Sequence, residues 1–107
     1  AMTSHLPHAV AYALVTLLSE QEEVERYFPV AAGGFYDLTR IASSDAVMWR
    51  DIFLNNRGPL GKGIESYIQV LERIRDLVEA GNGVELEAIF ERAKETRARV
   101  AMRHAPE

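Results

Sequence analysis

Two histidines and one arginine are the residues of this 107-residue chain whose types and spacing suit binding of an anionic small molecule. His5 and His8 lie three residues apart at the start of the first predicted helix, where free N–H groups already favour negative charge. Arg40 lies in segment 32–52, which also holds two glycines, three acids and the only tryptophan. A fixed cation beside an aromatic wall suits a ring-shaped anion. These three residues are therefore a candidate carboxylate-binding site.

The histidine pair has three readings that the residues leave open. His5 and His8 share one helical face at a spacing of i, i+3, which would suit half of a metal site, but no third ligand follows at a recognisable spacing. We therefore expect no metal. The second reading is a capping histidine beside a surface histidine, in a helix that Ser4 can cap. The third is contact with an anion or with a proton of a substrate at the helix N-terminus.

The residues around Arg40 are also ambiguous. Asp37 precedes Arg40 by three residues, the spacing of an ordinary ion pair on a helix surface. The same pair could instead be a resting-state lock, which opens when the guanidinium forms a bidentate contact with a substrate carboxylate. A single tryptophan in a small helical protein usually fills core volume, and this is the first interpretation of Trp49.

Composition excludes several functional classes. The net charge of -4 and the lack of a basic stripe argue against nucleic-acid binding. Because there is no cysteine, the chain has no disulfides and no thiolate nucleophile, which fits a cytoplasmic location. No apolar run is long enough to span a membrane, and no signal peptide is evident. The segment 58–63 has glycines and a lysine, but it lacks the Ser or Thr that a phosphate-binding loop requires.

Apolar periodicity predicts an all-α fold, a compact bundle of about five or six helices in one domain over 1–107. No segment shows the alternation of a strand. Cap and break signals come from Ser44-Asp45, which begins a helix that turns Met48, Trp49, Ile52 and Phe53 inward, and from Gly81-Asn82-Gly83, which ends a long one. The first predicted helix has its apolar stripe from Leu6 to Leu18, and two short helices are predicted over 21–27 and 35–43. A fourth helix is predicted after Asp45, a long helix from Leu60, and a last helix from Leu86 to Val100.

The first helix is apolar on nearly all sides, from Ala9 to Val15. A helix of this kind is buried on all sides, which a bundle this small cannot easily achieve alone. We therefore expect a two-fold homodimer in which both copies use the same apolar stripes. Its contacts are expected mainly from the helices around Leu14, Ile68 and Phe90.

Two motifs in this order closely resemble the C-terminal domain of the prephenate dehydrogenase family. They are Thr3-Ser4-His5-Leu6-Pro7-His8 and Gly33-Gly34-Phe35-Tyr36-Asp37-Leu38-Thr39-Arg40-Ile41-Ala42. Ser44-Asp45, the segment Met48-Trp49-Arg50-Asp51-Ile52 and the two long helices continue the likeness, which covers essentially the whole chain.

The resemblance implies a helical domain that dimerises and closes over an active site. It implies that a separate N-terminal Rossmann domain binds NAD or NADP and carries the catalytic histidine, so that no catalytic residue lies in this chain. The reaction would be oxidative decarboxylation of prephenate, or of arogenate in some relatives. On this reading the chain is part of a longer protein and is inactive alone.

The same resemblance implies roles for individual residues. Arg40 resembles the arginine that binds a substrate carboxylate, and Ser4, His5 and His8 resemble residues that line the substrate pocket. Asp37 would position the arginine, and Trp49 would support the pocket. The alternative is a free-standing helical interaction module without a catalytic partner. A glycine-rich βαβ unit encoded upstream of this segment would favour the dehydrogenase reading.

Overall fold

The computed structural model of the chain describes residues 5–20 and 33–104. Every regular element in these two ranges is helical, which confirms the predicted all-α class. Ser4 and the helix predicted over 21–27 lie outside the described residues. The elements are α1 (His5–Ser19), α2 (Gly33–Thr39), a 3-10 helix (Arg40–Ser43), α3 (Ala46–Asn55), α4 (Arg57–Ala80) and α5 (Gly83–His104).

The chain divides into two compact units, 1–66 and 67–107. In the first unit, α1 packs against both α2 and the 3-10 helix. Ala11 of α1 is fully buried, and its small side chain lets neighbouring backbones come close. Thr39, at the end of α2, is also buried, and its hydroxyl donates to the Phe35 carbonyl at 2.8 Å. The helix that begins with Arg40 is thereby placed against α1.

The helix predicted over 35–43 is two elements in the structure. An α-helix begins earlier, at Gly33, and gives way to the tighter 3-10 helix at Arg40. The Ser43 hydroxyl donates to the Arg40 carbonyl at 2.8 Å, and the Ser44 hydroxyl donates to the Ile41 carbonyl at 2.7 Å. Serine hydroxyls that bond nearby carbonyls compete with the helical ladder, so this segment ends at Ser43.

The predicted cap of α3 is confirmed. The Asp45 carboxylate accepts hydrogen bonds from the backbone N–H groups of Val47 at 2.9 Å and Met48 at 3.2 Å. The prediction that Met48 faces inward is wrong, because its side chain is 50% exposed. Trp49 and Phe53 are half-buried on the inner face, and Met48 lies at the edge of that face, about 100° around the helix from Trp49.

The helix α4 begins earlier than the sequence predicted. Only Asn56 separates it from α3, and it starts at Arg57 rather than at Leu60. The Asn56 carbonyl accepts from the Leu60 N–H at 2.9 Å, and the Asn56 side chain donates to the Ile52 carbonyl at 2.7 Å. Pro59 is tolerated because its missing N–H falls in the first turn, where no intrahelical acceptor exists.

Gly81 joins α4 to α5, as its cap signal predicted. It has a φ of 68°, a left-handed conformation that glycine adopts without strain. The N–H of Asn82 bonds the Leu77 carbonyl at 3.0 Å and that of Gly81 bonds the Val78 carbonyl at 3.1 Å, a Schellman motif. The Asn82 side chain then accepts from the Glu85 N–H at 3.2 Å and caps α5.

Much apolar surface remains exposed in a single chain. Among the described residues of α1, only Ala11 is buried, and Leu17 is 55% exposed, so the helix is not covered on all sides within one chain. Of the residues named for the predicted dimer contacts, Ile68 and Phe90 are 42% and 57% exposed, whereas Leu14 is half-buried. Within the described ranges, no helix is long and apolar enough to cross a membrane.

The Asp45 cap gives a first prediction. Replacing Asp45 with Ala should lower the free energy of unfolding by roughly 1 kcal/mol, because two N–H groups at the start of α3 lose their acceptor. Urea denaturation followed by circular dichroism measures the change. The matched control is Asp51→Ala in the same helix. Among the described residues, Asp51 pairs with its exposed neighbour Arg50, and its removal should change stability little. Equal losses in both variants would contradict the capping role.

Candidate functional site

An aromatic cluster connects α1 to α3 in the first unit. It consists of His5, His8 and Tyr12 from α1 and Trp49 and Phe53 from α3. The His8 imidazole stacks on the Trp49 indole with ring centroids 3.5 Å apart and an angle of 19° between the planes. Such close parallel contact fixes the orientation of both rings.

The other contacts of the cluster are edge-on. The His5 ring meets Trp49 at 6.0 Å and 76°, and Phe53 meets Trp49 at 6.2 Å and 83°. Tyr12 meets Phe53 at 6.5 Å and 80°. Edge-to-face geometry places the positive edge of one ring against the negative face of another and is favourable beyond simple burial. Trp49 therefore lies at the centre of the cluster, where it contacts the rings of His5 and His8 from α1 and the ring of Phe53 from its own helix.

A hydrogen bond also connects α1 to the turn that precedes α3. The Tyr12 hydroxyl donates to the Ser44 carbonyl, with 3.5 Å between the oxygens, a long and weak hydrogen bond. Ser44 lies in the turn directly before the Asp45 cap of α3. The phenol thus contacts the cluster with its ring and the start of α3 with its hydroxyl.

Within the described ranges, one ring nitrogen of His5, Nδ1, is buried without a hydrogen-bond partner. A buried polar atom without a partner is costly, so the site favours a ligand or a neighbouring group that can supply one. The predicted shared face of His5 and His8 is confirmed, since both rings contact Trp49.

Arg40 is exposed at the first position of the 3-10 helix that packs on α1. Within the part of the chain that the structure describes, its guanidinium makes no ion pair, and the predicted pair with Asp37 is not formed. A guanidinium without a carboxylate partner keeps its planar set of donors available for an anion. The rings of His5 and His8 both contact the ring of Trp49. Arg40 belongs to the 3-10 helix, which packs on α1.

Two members of the cluster were not identified as site residues from the sequence. Tyr12 follows His5 by seven residues and Phe53 follows Trp49 by four, spacings that return to the same helical face. These spacings indicate which residues share a face of α1 and which share a face of α3, but they do not reveal that the two faces contact each other. No group of three metal-ligating side chains occurs in residues 5–20 and 33–104.

Comparison with known proteins identifies what this helical arrangement is similar to. Residues 1–92 match the family described as the prephenate dehydrogenase dimerization domain. The chain is 38% identical over 104 residues to a prephenate dehydrogenase of Bacillus subtilis, covering 94% of this chain and 27% of that protein. It is 35% identical over 106 residues to a cyclohexadienyl dehydrogenase of Zymomonas mobilis, covering 96% of this chain and 35% of that protein.

A solved structure agrees with these sequence matches. The crystal structure of prephenate dehydrogenase from A. aeolicus, in complex with hydroxyphenyl propionate and NAD+, superposes with a TM-score of 0.82 and 42% identity. The match covers 92% of this chain and 35% of that one. The chain thus spans only about a third of the length of its relatives or less.

The stack of His8 on Trp49 can be tested by fluorescence, because Trp49 is the only tryptophan. His8→Ala should move the emission maximum to longer wavelength, since removing the stacked ring exposes the indole to water. His5→Ala, which removes only an edge contact, should cause a smaller shift. Tyr36→Ala is the control, because the exposed Tyr36 ring contacts Phe35 and not the cluster. A shift for His5→Ala as large as that for His8→Ala would contradict the geometry.

Proposed function

Because this chain belongs to the prephenate dehydrogenase dimerization-domain family, we propose that it is the C-terminal domain of an NAD(P)-dependent dehydrogenase that acts on prephenate or arogenate. The match over residues 1–92 carries this proposal. The proposed reaction on prephenate transfers a hydride from the substrate ring to the nicotinamide, releases carbon dioxide and yields 4-hydroxyphenylpyruvate. This product would enter tyrosine biosynthesis, which we place in the cytoplasm.

The cofactor is assigned to another part of the protein. Dinucleotides bind at glycine-rich turns between a strand and a helix. The described residues form helices alone, and the sequence has no G-x-G-x-x-G motif, so this chain does not fit such a cofactor. We assign NAD or NADP, and the catalytic histidine of the resemblance, to an N-terminal Rossmann domain of the full-length protein.

The role proposed for this chain is to hold the substrate anion. The Arg40 guanidinium has donors in the fixed geometry that matches a carboxylate, and no described acid occupies them. His5 offers a buried nitrogen, while His8 is oriented by its stack on Trp49. Ser4 precedes this cluster in sequence and is proposed to line the same pocket. Asp37, three residues before Arg40, is proposed as the residue that positions it.

The second proposed role is homodimerisation. Ile68 of α4 and Phe90 of α5 are exposed in one chain, as is Leu17 of α1. Contiguous apolar patches beyond a few hundred Å² are unusual on a soluble monomer. A second copy that covers these helices would remove the apolar surface from water, and the name of the family supports this assembly.

The substrate role predicts a binding defect when Arg40 is changed. In the full-length enzyme, Arg40→Ala should raise KM by roughly ten- to a hundredfold and change kcat less, because a charge-assisted contact with a carboxylate is lost. Arg40→Lys should recover only part, because lysine cannot form a bidentate contact. Steady-state kinetics with prephenate and with arogenate measures both effects.

The control for Arg40 is Arg50→Ala. Arg50 is exposed and bonded to its neighbour Asp51 at 2.9 Å, so its removal should leave KM unchanged. An unchanged KM in Arg40→Ala would contradict the proposed carboxylate contact, even if the enzyme remains a dehydrogenase.

Homodimerisation is tested on the 107-residue chain by light scattering at micromolar concentration. We expect the mass of a dimer. Phe90→Glu should shift it toward monomer, because a carboxylate would be buried against apolar surface. Tyr36→Glu is the control, since Tyr36 is equally exposed but lies outside the helices of the predicted contacts. A monomer mass for the unchanged chain, with its helical circular dichroism intact, would contradict the dimer.

A further inference from the structure

The junction between α4 and α5 holds an asparagine that is directly followed by glycine. Asn82-Gly83 is the one such pair in the sequence, because the other two asparagines, Asn55 and Asn56, precede an asparagine and an arginine. Asparagine is among the chemically labile side chains of proteins, since the backbone nitrogen of the next residue can attack its amide carbon. Glycine obstructs this approach least, because it has no Cβ.

Both residues of the pair are accessible in the structure. Asn82 and Gly83 are exposed, and Asn82 lies between the two helices and belongs to neither. A Cβ built on Gly83 would meet no described atom within 4 Å, so the space beside this residue is open. Water and hydroxide therefore reach the pair from solvent without any rearrangement of a core.

The hydrogen bonds that hold the pair are local to the junction. The Gly83 N–H donates to the Gly81 carbonyl at 3.0 Å, a contact over two residues rather than a bond of the helical ladder. The Asn82 side chain accepts from the Glu85 N–H at 3.2 Å, the long end of the usual range. Rotation of the Asn82 backbone, with compensating rotation at the two glycines, breaks these bonds and brings the Gly83 nitrogen toward the side-chain amide. Such opening leaves the rest of α4 and α5 helical.

We propose that Asn82 is a site of spontaneous deamidation. After a base removes its proton, the Gly83 nitrogen bonds to Cγ of Asn82, and the side-chain nitrogen takes up a proton and leaves as ammonia. The product is a five-membered succinimide. Water then opens the ring at one of its two carbonyls. Breaking the bond from nitrogen to Cγ gives aspartate, and breaking the bond from nitrogen to the α-carbonyl carbon gives isoaspartate.

The net reaction consumes water, releases ammonia and needs no cofactor. It depends neither on the proposed dehydrogenase nor on the proposed homodimer.

The two products differ in their effect on the start of α5. Aspartate keeps an oxygen that can accept from the Glu85 N–H, and its negative charge is favourable at a helix N-terminus. Isoaspartate carries the main chain through the side chain, which inserts a methylene between α4 and α5. The Asn82 carbonyl, which accepts from the Leu86 N–H at 3.1 Å, then becomes a free carboxylate outside the main chain. Isoaspartate therefore weakens the first turn of α5, whereas aspartate preserves it.

The site is tested by incubating the 107-residue chain in mildly alkaline buffer at physiological temperature, followed by trypsin digestion and mass spectrometry. Trypsin separates the asparagines, because Asn82 falls in peptide 76–92 and the other two fall in peptide 51–57. We expect peptide 76–92 to acquire the mass of an acid in place of an amide over time. Part of this product should be methylated by an isoaspartyl methyltransferase. Peptide 51–57 is the internal control and should change far less.

Gly83→Ala is the matched variant, because the position has room for a methyl group, which would obstruct the attack. It should slow the modification several-fold, and circular dichroism verifies that the variant remains helical. An equal rate in this variant would overturn the proposal. Persistence of the Asn82 amide in the folded chain, under conditions in which the urea-unfolded chain is modified, would also overturn it, because the junction would then be closed to the reaction.

The effect on α5 is measured on the modified chain itself. Ion-exchange chromatography separates it from the unmodified chain by its added negative charge, and methyltransferase labelling gives its isoaspartate content. Asn82→Asp supplies the aspartate form with an ordinary main chain. A fraction rich in isoaspartate should have a Tm a few degrees below that of Asn82→Asp, which should match or exceed the unchanged chain. Equal Tm values for the isoaspartate and aspartate forms would overturn the weakening of α5.

Discussion

Apolar surface that one copy leaves uncovered is the constraint on which the rest of this structure depends. Among the described residues, the buried apolar side chains are Ala11 and Leu60, both in the first unit. The helices α4 and α5 are long, at 24 and 22 residues, and carry large apolar side chains that remain in contact with water. Burial of apolar area is the main stabilising term in folding, so a neighbour that covered α4 and α5 would add to the stability of the chain. The proposed homodimer would supply such a neighbour.

The candidate site depends on a different kind of contact. The stack between His8 and Trp49 joins the first helix to the third, with Phe53 and Tyr12 around it. These rings are half-buried, and their stacked and edge-to-face contacts are favourable beyond simple burial. Arg40 is positioned separately, by the short 3-10 helix that follows the buried Thr39. Arg40 thus comes from the 3-10 helix and Trp49 from α3, and both elements contact α1.

The division of labour that we propose for the full-length protein rests on these two features. The described residues form helices and the sequence has no G-x-G-x-x-G motif, so we assign the redox chemistry to a part that can hold a dinucleotide. We assign to this chain the proposed contacts with the substrate anion and with a second copy.

Local signals determined much of this protein from the sequence alone. Apolar periodicity gave the helical class, Asp45 gave the start of α3, and Gly81 gave the end of α4, because each depends on contacts within a few residues. The shared face of His5 and His8 was likewise fixed by helical spacing. The motifs around these residues were sufficient to indicate the family before any fold was known.

Only the tertiary structure decided which faces meet. The sequence did not show that Trp49 would stack on His8, 41 residues away, or that Tyr12 would reach Ser44, 32 residues away, because helical period does not define the partner face. The end of the 3-10 helix at Ser43 and the early start of α4 are accompanied by local hydrogen bonds of Ser43 and Asn56, which apolar periodicity does not reveal. Periodicity determines which residues share a face, and packing determines what that face contacts.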